Sequence, residues 1–62
     1  MYAFFYPENG ERLYSGTFVS VDEAKAYWKD KRATWQELEA RGDDLAAFLS
    51  PHGEIVVIRE TQ

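Results

Sequence analysis

The stretch Ser20-Val21-Asp22-Glu23 organises this sequence, because it carries a strong signal for the start of a helix. The hydroxyl of Ser20 can accept a hydrogen bond from the amide of Glu23, while the Glu23 carboxylate reaches back to the amide of Ser20. Apolar and aromatic side chains then recur at helical spacing along one stripe, at Ala24, Tyr27, Trp28, Trp35 and Leu38. The sequence therefore predicts an amphipathic helix that begins here and ends at Gly42.

A second capping sequence lies inside this predicted helix. Thr34-Trp35-Gln36-Glu37 has the same pattern of a hydroxyl residue followed three positions later by a glutamate. The sequence leaves two alternatives open: one long helix, or two helices that meet at an angle near Ala33.

The residues before the helix predict a β-hairpin. Tyr2-Ala3-Phe4-Phe5-Tyr6 is rich in aromatic side chains, which favour strands. Pro7-Glu8-Asn9-Gly10 supplies a four-residue loop, because proline pre-sets φ and Asn-Gly tolerates positive φ. A second strand is predicted from Glu11 to about Val19, with Gly16 as a bulge or a point of close packing.

The residues after the helix predict a second hairpin. Leu45-Ala46-Ala47-Phe48-Leu49 leads into Ser50-Pro51-His52-Gly53, which suits a type I turn. The β-branched run Ile55-Val56-Val57-Ile58 predicts a strand that is central or buried on both faces. The whole chain, residues 1–62, is then a single α+β domain: a small antiparallel sheet in ββαββ order with an amphipathic helix packed on one face.

The predicted sheet is apolar on both faces, and one helix can cover only one of them. If Tyr6 pairs with Glu11, one face holds Tyr2, Phe4, Tyr6, Leu13, Ser15 and Thr17, and the other holds Ala3, Phe5, Arg12, Tyr14 and Phe18. Tyrosine combines apolar area with a hydroxyl that tolerates water. We therefore expect Tyr2, Phe4 and Tyr6 to point outward, either as a protein interface or as exposed aromatics without a partner.

Composition excludes several classes of function. The 62 residues carry a net charge of −4, so direct binding to nucleic acid is not expected. Cysteine is absent, which removes disulfides and thiolate metal sites. The sequence has no apolar run near the ~20 residues of a membrane span and no basic secretory start, so a cytoplasmic protein without membrane contact is expected.

Residues with catalytic chemistry are sparse. His52 is the single histidine, lies in a predicted turn and has no evident nucleophile beside it. The pair Asp43-Asp44 lacks the further spaced oxygen ligands of a cation-binding loop. Phosphate-binding glycine loops and His-Glu-x-x-His sequences are absent as well. We therefore expect no enzyme activity, no metal and no cofactor.

Acidic residues form the clearest pattern on the predicted helix. Glu23, Asp30 and Glu37 are spaced by seven residues, and Glu39, Asp43 and Asp44 extend the series. Regularly spaced carboxylates can steer association with a basic partner. An ordinary solvated helix face is the alternative, and a neighbouring basic flank of Lys25, Lys29 and Arg32 favours it.

A small, acidic, cysteine-free chain resembles, in size and charge, the phage-encoded inhibitors of host defence such as anti-CRISPR and antirestriction proteins. That resemblance implies a non-catalytic inhibitor that occludes a basic nucleic-acid-binding surface of a larger protein or protein–nucleic-acid complex. The hairpin followed by a capped helix also looks like the layout of HicB-type antitoxins. The alternative prediction is therefore a small homodimeric structural, accessory or antitoxin-like binding protein.

Overall fold

A computed structural model describes residues 1–61. The elements are β1 (Tyr2–Phe5), α1 (Val21–Lys31), β2 (Gln36–Leu38), β3 (Ala46–Leu49) and β4 (Ile55–Glu60). The four strands form one antiparallel sheet in the order β1-β4-β3-β2. The α+β class and the antiparallel sheet are confirmed. The predicted ββαββ order is wrong, because the described elements follow one another as βαβββ.

The first turn forms as predicted. The amide of Tyr6 donates to the carbonyl of Glu11 at 2.8 Å, and Phe5 lies opposite Arg12 in an isolated bridge. Gly10 has φ of 75°, the left-handed backbone that the Asn-Gly sequence indicated. The four-residue loop and its register are therefore confirmed.

The second predicted strand does not form, because the register changes along it. Tyr2 and Phe18 exchange backbone hydrogen bonds of 2.9 and 2.8 Å, whereas the register of the turn would bring Tyr2 opposite Ser15. The extra residues loop out around Gly16, where the ring of Tyr14 occupies the space that a Cβ would need. Directly opposed residues share a face, so Phe18 joins the face of Tyr2 and not the opposite face that a regular hairpin predicts.

Helix α1 begins as predicted and ends early. The Ser20 hydroxyl accepts a hydrogen bond of 3.1 Å from the amide of Glu23. The helix stops at Lys31, where the amide of Arg32 donates to the carbonyl of Trp28. The predicted extension to Gly42 is therefore wrong. The chain does break near Ala33, but a strand follows instead of a second helix.

The residues expected in the second half of the helix form strand β2, which pairs with β3 at the edge of the sheet. Glu37 lies opposite Phe48 in the β2–β3 pairing. Three residues of strand pairing satisfy backbone groups along the edge of β3, and such tertiary pairing overrides a local helical pattern.

Helix α1 covers the face of the sheet that carries Phe4. The Trp28 ring lies 4.7 Å from the Phe4 ring and 5.2 Å from the Phe48 ring, measured between centroids. Phe4 is 0% exposed, and Tyr2 and Tyr6 pack half-buried against the same core. The prediction that Tyr2, Phe4 and Tyr6 point outward is therefore wrong. Large aromatic side chains on the helix gain most by burial against the aromatic side chains of β1.

The second hairpin and the central strand are confirmed. Strand β4 lies between β1 and β3. The amide of Ser50 donates to the carbonyl of Glu54 at 2.8 Å, and the Ser50 hydroxyl accepts from the amides of His52 and Glu54. Gly53 closes the turn with φ of 88°. Among residues 1–61, no helix is long and apolar enough to cross a lipid bilayer.

Candidate functional site

One apolar row crosses the face of the sheet opposite helix α1. Phe5 opposes Val57, Val57 opposes Ala47, and Ala47 opposes Leu38. These residues alternate along their strands with Phe4, Ile58, Ala46 and Glu37, so they occupy the other face. Val57 is 1% exposed although no helix among residues 1–61 covers it. Shorter segments of the chain must therefore shield this face.

The segment between β2 and β3 shields one end of the row. Asp44 accepts a hydrogen bond of 2.6 Å from the Nε of Arg59, a residue of the same sheet face. Its amide also donates to the carbonyl of Arg41 at 3.1 Å. This contact holds residues 39–44 over the sheet. At the other end, the guanidinium of Arg12 lies 5.9 Å from the centroid of the Phe5 ring.

An open groove of about 480 Å³ remains between these shields, and we call it the sheet groove. Its lining consists of Pro7, Leu38, Glu39, Arg41, Asp44, Ala47, Ile55 and Val57. The floor is apolar, and Ile55 exposes 44% of its surface. A second concavity shares Pro7 and Ile55 with the groove and adds Glu8 and Glu54. The two concavities thus meet at Pro7 and Ile55.

The sheet groove and the adjoining concavity together carry more acidic than basic side chains. Glu8, Glu39 and Glu54 form no salt bridge with any residue in the range 1–61. Asp44 is compensated by Arg59, which leaves Arg41 as the positive side chain of the lining. An apolar floor bordered by uncompensated carboxylates suits a partner that presents apolar side chains together with lysine or arginine.

The six predicted acidic residues do not form one surface. Because α1 ends at Lys31, Glu37 does not continue the helical series of Glu23 and Asp30. Its carboxylate lies 3.1 Å from the Nζ of Lys25 and 3.7 Å from that of Lys29. The hydrogen bond from Lys25 is the main cause that lowers the pKa of Glu37, and the charges of both lysines add to it against a smaller opposing effect of burial.

The remaining predicted acids divide between two regions. Glu23 and Asp30 lie exposed on the helix, where Asp30 contacts Lys31 at 3.7 Å. Glu39, Asp43 and Asp44 lie in the segment over the opposite sheet face, and Glu39 and Asp44 line the sheet groove. The structure therefore brings two predicted acids to the groove and separates them from the helix.

Sequence reasoning missed the apolar residues of the groove. The sequence pattern places Leu38 in the helix stripe, and it places Ala47 and Val57 in strands without indicating a binding role for them. One signal did indicate the groove: the run from Ile55 to Ile58 is apolar at every position, so both faces of that strand need cover. Pro7 was recognised as a turn residue, and it also forms one wall.

Groups suited to catalysis or metal binding are not gathered at the groove. Residues 1–61 contain no cluster of three or more histidine, cysteine, aspartate or glutamate side chains arranged to hold a metal ion. His52 lies exposed in the second turn, where its backbone amide, and not its ring, bonds Ser50.

Comparison with known proteins gives one partial similarity. The chain is similar to auxin response factor 13 of Arabidopsis thaliana, with 36% identity over 42 residues. The match covers 68% of this chain and spans 6% of the length of that protein. No protein-family profile matches the chain. No solved structure matches it either.

Proposed function

We propose that this protein is a non-catalytic binding protein that uses the sheet groove to hold a partner with an apolar and basic surface. The observation that supports this is a groove in which the half-buried Leu38 and Ile55, which is 44% exposed, offer apolar surface beside Glu39. Burial of the exposed surface of Ile55 and Leu38 supplies affinity, and the carboxylates steer association. The protein acts by occupying a surface, without turnover.

The size of the chain agrees with this mode of action. Stable interfaces cover about 800 Å² on each partner. The whole molecule exposes 4305 Å², so such an interface takes roughly a fifth of its surface.

The finer proposal is an inhibitor or modulator, of the anti-CRISPR or antirestriction type, that occludes a basic nucleic-acid-binding surface. The net charge of −4 supports it, as do the uncompensated Glu39 in the sheet groove and Glu8 and Glu54 in the adjoining concavity. Basic surfaces that bind nucleic acid attract such carboxylates, and the attraction weakens as salt rises.

The test is affinity capture from a bacterial lysate with three forms of the protein. The wild type is compared with Ile55→Lys, which places a positive charge in the groove, and with Val19→Lys, which changes the highly exposed Val19 outside the groove lining. We expect the wild type and Val19→Lys to capture the same partner at low salt and Ile55→Lys to lose it. Equal capture by all three forms would contradict the proposal that the sheet groove is the binding site.

Two further measurements separate the finer proposal from its alternative. Adding the protein to the captured partner with bound nucleic acid should release the nucleic acid, and failure to release it would contradict occlusion. Light scattering of the isolated protein measures its mass. A dimer that Ile55→Lys converts to a monomer, with no captured partner, would favour the homodimeric accessory protein instead.

A further inference from the structure

The sheet has one edge that no other strand covers. In the order β1-β4-β3-β2, the outer side of β1 is bridged by Arg12 and Phe18. Strand β2 pairs with β3 alone, and no strand among residues 1–61 lies against its outer side. Such an edge presents free backbone donors and acceptors.

The direction of these backbone groups follows from the pairing of β3. In antiparallel sheets, the N–H and C=O of one residue point to the same neighbour, and those of the next residue point to the opposite one. The backbone of Ser50 bonds Glu54 on the β4 side. The N–H and C=O groups of Leu49 and Ala47 therefore point toward β2.

The backbone groups of their partners in β2 point back toward β3. Gln36 pairs with Leu49 and Leu38 pairs with Ala47, so the backbone groups of these two β2 residues point inward to β3. The N–H and C=O of Glu37, between them, therefore point outward from the sheet. This residue offers one donor and one acceptor to an added strand.

The open edge is continuous with the sheet groove. Leu38 belongs to β2 and also lines the groove, and Glu39 follows it on the border. A strand laid beside β2 would direct every second side chain to the groove face of the sheet, next to Leu38. The end of the same segment would lie near the uncompensated Glu39.

From this geometry we propose that the partner binds as an extended segment that adds a fifth strand to the sheet at β2. This rests on the proposed function and specifies its partner: a segment with alternating apolar and basic residues, paired through the backbone of Glu37. The apolar side chains enter the sheet groove, and a lysine or arginine contacts Glu39.

A second copy of this chain fits the edge less well. Antiparallel pairing of two β2 strands about Glu37 places the two glutamates directly opposite each other. Each of these glutamates already contacts Lys25 and Lys29 of its own chain. Each copy carries a net charge of −4, so two copies repel one another. A basic segment from another protein is complementary instead.

Synthetic peptides test the backbone pairing directly. The probe is a capped six-residue peptide that alternates valine with lysine or arginine, titrated into the ¹⁵N-labelled protein and followed by amide resonances. Two matched peptides carry N-methyl groups, one on the valine amides and one on the amides of the basic residues. Because alternate amides face the same neighbour, we expect one methylated peptide to bind at least tenfold more weakly and the other to bind unchanged.

A protein variant gives an independent readout. Glu37→Pro removes the outward N–H and leaves the β2–β3 ladder intact, which is where proline is tolerated in a sheet. Glu37→Gln is the control, because it keeps the N–H and loses the same lysine contacts. We expect Glu37→Pro to weaken peptide binding at least tenfold relative to Glu37→Gln, and hydrogen exchange of the Glu37 amide to slow when the peptide binds.

The outcomes distinguish this inference from the proposed function. If both methylated peptides bind like the parent and the Val57 and Ala47 amides shift, the groove binds its partner without strand addition, and the inference is overturned. If no peptide binds while lysate capture still depends on Ile55, the extended-segment mode is likewise overturned. If Glu37→Pro does not fold, the methylated peptides alone decide.

Discussion

The Nζ of Lys25 lies 3.1 Å from the Oε2 of Glu37 and so joins the middle of helix α1 to the edge strand β2. Lys29 approaches the same carboxylate from the next turn of the helix, at 3.7 Å. These contacts close the helix over the β2 side of the sheet. They also remove Glu37 from the acidic surface available to a partner.

Replacing this carboxylate makes stability depend less on pH. The lysines lower the pKa of Glu37 below its ordinary value of 4.5, so the stabilisation is present above that value and is lost as pH falls through the lowered pKa. Because the pair is partly exposed, we expect Glu37→Gln to lower the free energy of unfolding by about 0.2–1 kcal/mol at neutral pH. In strong acid we expect no measurable change. Urea unfolding at both pH values measures this. Glu39→Gln is the control, and a cost that persists in strong acid would contradict the assignment.

The orientation of β1 can be tested with two neighbouring phenylalanines. Phe4 is fully buried under the helix, whereas Phe5 is half-buried on the opposite face. We expect Phe4→Ala to destabilise the fold by about 3–5 kcal/mol and Phe5→Ala to cost clearly less. A domain of this size has a total stability of roughly 3–9 kcal/mol, so Phe4→Ala should unfold much of the population. Circular dichroism during urea unfolding compares the two, and equal costs would argue against this orientation.

The contact between Asp44 and Arg59 holds the segment that borders the sheet groove. The Asp44 side chain is 17% exposed and accepts a hydrogen bond of 2.6 Å from the Arg59 Nε. We expect Asp44→Asn to destabilise the protein by about 1.5–3 kcal/mol, the range for a hydrogen bond to a charged group. Asp43→Asn, next to it and exposed, should have little effect. Thermal unfolding of both variants measures the difference, and similar midpoints would contradict a specific role for Asp44.

Ser20 provides a test of the helix start. Its hydroxyl accepts from the amide of Glu23, which otherwise has no partner within the helix. We expect Ser20→Ala to cost about 1 kcal/mol of unfolding free energy. Ser15→Ala is the matched control, because Ser15 is exposed in the looped segment before the helix. An equal loss of unfolding free energy in both variants would show that the Ser20 cap is not its cause.

Sequence reasoning located the boundaries that depend on neighbouring residues. The Ser20 cap, the Asn-Gly turn at Gly10 and the Ser50 turn are all present. Each is stabilised by hydrogen bonds between residues a few positions apart, so the residues that decide it are visible together in the sequence. The candidate site was only partly accessible in this way: Glu39 and Asp44 were identified as acids, but not as the border of a groove.

Local sequence patterns are sufficient to predict the α+β class, the start of the helix, both turns and the central position of β4. Three features follow only from long-range contacts. The register shift brings Phe18 to the face of Phe4, and Glu37 lies in a strand although the local pattern predicts a helix. The third feature is which face of the sheet the helix leaves uncovered. The reason is the range of the interactions. Caps and turns are local, whereas the covered face depends on strand register and on aromatic packing between residues far apart in the chain, such as Phe4 and Trp28.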